Sequence, residues 1–65
     1  MKSRYDRGAD ALYVQLADAT IVGSEEVRPG IMLDFDAAGR VVGIEILDAS
    51  EHVAEGADFA HLAAA

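Results

Sequence analysis

The chain holds 65 residues, 52% of them hydrophobic, with no cysteine and five Lys and Arg against twelve Asp and Glu, a formal charge of −7. That length sets a single small domain over 1–65, whose folding buries only ~60% of the surface its unfolded chain exposes. Disulfides are excluded as compensation, a field of this sign disfavours direct nucleic-acid binding, and no apolar run approaches the ~18 residues of a membrane span.

In chain order, Lys2–Asp6 reads as a short polar edge strand, and "RGAD" as a turn in which Gly8 takes positive φ. "ALYVQL" (11–16) alternates: Leu12, Val14 and Leu16 point one way, Tyr13 and Gln15 the other, the period of a half-buried strand. "ADAT" is a loop, and Thr20 to Arg28 is a strand with an irregular start, in which Gly23 marks a bulge or a close backbone approach. Pro29-Gly30 ends it, because proline removes a donor and glycine permits a sharp bend. "IMLDF" sets Ile31, Leu33 and Phe35 against Met32 and Asp34; "DAAG" turns the chain with Gly39 left-handed. "RVVGIEIL" then sets Val42, Ile44 and Ile46 against Val41, Gly43, Glu45 and Leu47.

Short loops predict antiparallel neighbours, hence a meander of four or five strands over residues 2–47. After Leu47 the period changes to helical. Asp48 and Glu51 have capping-box spacing, Ala49 and Val53 would face the sheet, and Gly56 would stop the helix. Phe59 and Leu62, three apart, predict a second docked helical turn or a frayed tail. The fold class is therefore α+β: a small antiparallel β-meander with one face packed by a C-terminal helix, residues 48–65 forming helix and tail.

Strand parity collects Leu12, Val14, Leu16, Ile31, Leu33, Phe35, Val42, Ile44 and Ile46 on one apolar face. The opposite face carries Tyr13, Met32, Asp34, Val41, Glu45 and Leu47, a mixture suited to a contact surface, and a second copy is expected to cover it. Three readings of its acids follow. "DFDAAG" has the start of a calcium loop, but an apolar strand occupies the positions where later ligands belong, so metal binding by Asp34, Asp36 and Glu45 is disfavoured. Asp34 and Glu45 as an acid/base pair would require a water-excluding pocket, for which a small sheet has little volume. Pairing with Arg4, Arg28 or Arg40 across the sheet or an oligomer interface needs no pocket and is the preferred reading. His52 and His61, nine apart, do not form a metal pair, and Tyr5 and Tyr13 are expected to pack across strands. No catalytic residue, cofactor or metal is expected.

The small core leaves self-association, as a homodimer or higher homo-oligomer, as the expected source of further burial. A basic protein partner suits the net charge as a second expectation. The scattered charges of "MKSRYDRGADALYV" do not make a signal peptide, so the expected location is cytoplasmic.

Taken together, Tyr5-Asp6, Asp10-Ala11-Leu12-Tyr13, Leu33-Asp34 and Val42-Gly43-Ile44-Glu45-Ile46-Leu47 resemble a family of small bacterial and archaeal domains known as domain of unknown function 2283, over residues 4 to about 50. The resemblance implies a small β-sheet followed by a helix and brings no catalytic residue with it. Because some such domains are encoded beside small toxin-like proteins, it also implies an antitoxin-like, partner-neutralising role as an alternative to a self-associating, non-enzymatic interaction module.

Overall fold

A computed structural model of the chain describes residues 2–58. Strands β1 (Lys2–Asp6), β2 (Ala11–Gln15), β3 (Gly23–Arg28), β4 (Ile31–Phe35) and β5 (Val41–Ile46) precede a four-residue helix, α1 (Ala49–His52). The strands form one antiparallel sheet in the order β1-β2-β5-β4-β3. The fold is α+β, as expected from the strand periods.

The order corrects the meander. β2 pairs with β5, and residues 16–22 carry the chain past β5 and β4 before β3 begins, which makes β2 to β5 a Greek-key arrangement. Crossing to the far side of two strands spans ~14 Å, well within the reach of seven residues. The crossing is pinned at both ends. Leu16 and Ala17 donate to the Val42 carbonyl (2.7 and 3.3 Å), and Val22 donates to that of Phe35 (2.9 Å). β2 therefore ends at Gln15 rather than Leu16, and β3 starts at Gly23 rather than Thr20.

Two bulges adjust the register. Asp34 pairs with Gly43 but Phe35 pairs with Val41, leaving Val42 as the extra residue on β5, only 1% exposed. On β3, Val27 is the extra residue between Glu26 and Arg28, so the bulge expected at Gly23 lies four residues later. In the first hairpin the left-handed residue is Asp10 (φ 50°), not Gly8, whereas Gly39 is left-handed as expected (φ 79°).

The helix differs most from expectation. It ends at His52, four residues before Gly56, and is ~6 Å long, with Ala49 fully buried. Phe59, His61 and Leu62 lie outside the described residues. Asp48 occupies the N-cap position in a left-handed conformation and makes no side-chain cap bond, so the capping box does not form. Asp10, forty residues earlier, holds the helix start instead. Its carbonyl accepts the Ala49 amide (2.8 Å). Its carboxylate accepts the Ser50 hydroxyl (2.6 Å), the Ser50 amide (3.1 and 3.3 Å) and the Tyr5 hydroxyl (2.6 Å). On the other side the Leu47 amide donates to Gly30 (2.7 Å), and His52 Nδ1 lies 2.8 Å from the Leu47 carbonyl. Residues 47–52 thus clamp two hairpin turns at one end of the sheet.

Hydrogen bonds from Ser50 first, then Tyr5, hold the Asp10 carboxyl below its ordinary value of 3.8. A depressed carboxyl stabilises the fold above its unfolded value and loses that contribution as pH falls through the folded one. Amide exchange at Ala49 and Ser50 should therefore accelerate as pH is lowered below 3.8, beyond the intrinsic pH dependence, while Ile44 stays protected. Asp10→Ala should produce the same selective loss at neutral pH; unchanged protection at Ala49 would show that Asp10 is not the clasp. Among the described residues no helix is long and apolar enough to cross a membrane.

Candidate functional site

Two unbroken cross-strand rows build the polar face. One runs Arg4–Tyr13–Glu45–Met32–Glu26, the other Lys2–Gln15–Gly43–Asp34–Ser24. Directly opposed residues share a face, so Tyr13, Met32, Asp34 and Glu45 lie together as expected. Val41 does not join them: the bulge pairs it with Phe35. Leu47 lies just past the end of β5 and is 37% exposed.

Tyr13 reaches from the first row over Gly43 in the second. A Cβ on Gly43 would sit 2.8 Å from Tyr13 Cζ and closer still to its hydroxyl oxygen, so only glycine leaves room for the phenol. The signal for this was present in the sequence, since a glycine inside a strand marks a close approach. Gly23, the strand glycine expected to mark a bulge or such an approach, has nothing within 4 Å. Opposite Gly43, Asp34 is 8% exposed, and Ser24 Oγ donates to its Oδ1 (2.6 Å). Ser24 is a site residue that β3's weak pattern did not reveal.

Burial raises the Tyr13 phenol above its ordinary value, and the charge of Asp34, a hydrogen bond to it and the charge of Glu45 add to this; Arg4 opposes. Ser24→Ala should leave Asp34 short of a donor and cost about 1–2 kcal/mol, read as a lower urea midpoint at unchanged m-value.

The acids do not converge. Asp34 and Glu45 are diagonal neighbours, ~7–8 Å apart across a sheet, with Gly43 and Met32 as their direct partners. Asp36 Oδ1 accepts the Ala38 and Arg40 amides (both 2.9 Å), the turn-forming role rather than a ligand role. Among the described residues no three of His, Cys, Asp and Glu are placed to hold a metal. Among the described residues of one chain, the expected arginine pairing across the sheet does not form. Arg4 sits two strands from Glu45, Arg28 opposes Ile31 on the apolar face, Arg40 lies in a turn, and Asp34 takes Ser24 instead. Contrary to the small volume expected, Arg4, Arg7, Tyr13, Glu45 and Leu47 help to line an open concavity of about 720 Å³.

The family model described as "Protein of unknown function (DUF2283)" matches residues 2–50. The chain belongs to this family. The DUF2283 match takes in all five strands and stops at Ser50, so both ends of the Asp10–Ser50 clasp lie inside it. No curated protein and no solved structure gives a significant match to the chain.

Proposed function

We propose that this DUF2283 domain is a non-enzymatic, self-associating interaction module whose apolar sheet face, rather than the mixed face of Tyr13, Met32, Asp34 and Glu45 expected from the sequence, stacks on that of a second copy. The observation that carries the reading is incomplete burial. Val14, Ile31, Leu33, Phe35, Ile44 and Ile46 share the face of Leu12 and Val42, yet only those last two are buried. An amphipathic sheet needs a second layer over its apolar side, and among the described residues only the four-residue α1 is helical. Two such faces packed ~10 Å apart would form a sandwich and supply it. The raised phenol of Tyr13 and the hydrogen-bonded carboxylates of Asp34 and Asp36 support a role through contact rather than acid–base chemistry.

Ile44→Lys tests this. Ile44 is half-buried, so the charge can reach solvent in a monomer but not in a stacked pair. The variant should keep the sheet's circular dichroism and elute from a sizing column at half the wild-type mass. Leu33→Gln should act in the same direction. Identical masses for wild type and both folded variants would refute the stacking.

A further inference from the structure

We infer that the concavity on the polar face binds a small zwitterion, an α-amino acid with an apolar side chain. The side chains invoked, Arg4, Tyr13 and Glu45, lie on the face opposite the proposed stack, so the inference does not rest on self-association.

Charge carries the argument. The chain has only five Lys and Arg against twelve acids, yet Arg4 and Arg7 both line this one concavity. Glu45, half-buried on β5, lines it as well, as does Asp6, whose carboxylate already accepts the Gly8 and Ala9 amides. Among the described residues the side chains of Arg4, Arg7 and Glu45 have no hydrogen bond or ion pair. They do not neutralise one another because Arg4 and Glu45 flank Tyr13 on strands two apart, a separation of ~10 Å. An anion alone would meet the repulsion of Asp6 and Glu45, and a cation alone that of the arginines. A ligand carrying both signs satisfies both, its carboxylate on Arg4 and Arg7 through the guanidinium fork and its ammonium on Glu45. Ala11 and Leu47 supply apolar lining for its side chain. Tyr13 forms the wall between, its hydroxyl committed towards Asp34. Convergent polar groups over an apolar floor are the usual composition of a small-ligand site.

The test is amide chemical-shift titration of the full chain with leucine, N-acetylleucine and leucinamide. Leucine should saturate shifts at Tyr13, Glu45 and Leu47 with a Kd of about 1 mM. Either blocked derivative should bind at least ~10-fold more weakly, because each loses one ion pair. Arg4→Gln and Glu45→Gln should each weaken leucine by a similar factor while leaving the rest of the spectrum in place. Absence of saturation by ~20 mM leucine, well above that Kd, equal affinity for the blocked derivatives, or indifference to both substitutions would overturn the proposal.

Discussion

Gly43→Ala should lower the thermal midpoint by roughly 5–20 °C, the shift expected of about 1–3 kcal/mol in a domain this size. The added methyl meets the Tyr13 ring, with Cζ 2.8 Å from its position, and the phenol must leave β5. Its departure removes the cover over Gly43 and the approach of the hydroxyl to Asp34. Two comparisons isolate this cause. Gly23→Ala, where nothing lies within 4 Å, should be neutral or slightly stabilising by restricting the unfolded chain. In a Tyr13→Ala background the penalty of Gly43→Ala should largely vanish, since the two residues act through one contact. A penalty that persists there would place the cause elsewhere.

Leu12→Ala should cost about 2–5 kcal/mol. Leu12 is 4% exposed and sits in the row Tyr5–Leu12–Ile46–Ile31, between the edge hairpin and the centre of the sheet. A 65-residue domain has a total stability of roughly 3–10 kcal/mol, so the variant should be substantially unfolded at 37 °C by circular dichroism. Full retention of the wild-type midpoint would mean that Leu12 is not part of the stabilising core. Val14→Ala provides the contrast. Val14 is half-buried within one chain, so its penalty should grow with protein concentration if a second copy completes its burial.

Alternation made the strands legible. Ile31–Phe35 emerges with its expected bounds, and β5, Val41–Ile46, falls within the expected residues 40–47, because a half-buried strand shows period two directly. The strand order was not legible: seven residues between β2 and β3 are as compatible with a crossing as with a loose hairpin, and the pairing of β2 with β5 is decided by distant contacts. Val41 was misplaced for a local reason, since one extra residue in a strand reverses parity beyond it. The acids of the polar face were found but their partners were not. Ser24 lies on a strand exposed along its whole length, and Asp10 acts across forty residues, so neither carries a sequence-local signature. The helix was overextended because Asp48 and Glu51 have the right spacing, while a left-handed Asp48 breaks the geometry that spacing requires.

Sedimentation equilibrium of the full chain across a hundredfold concentration range is the most direct measurement of whether a second copy completes the apolar layer. The account predicts a mass that rises from the 6.8 kDa of one chain to at least twice that value and falls back on dilution. A single 6.8 kDa species at every concentration, with a cooperative thermal transition that does not move with concentration, would contradict it.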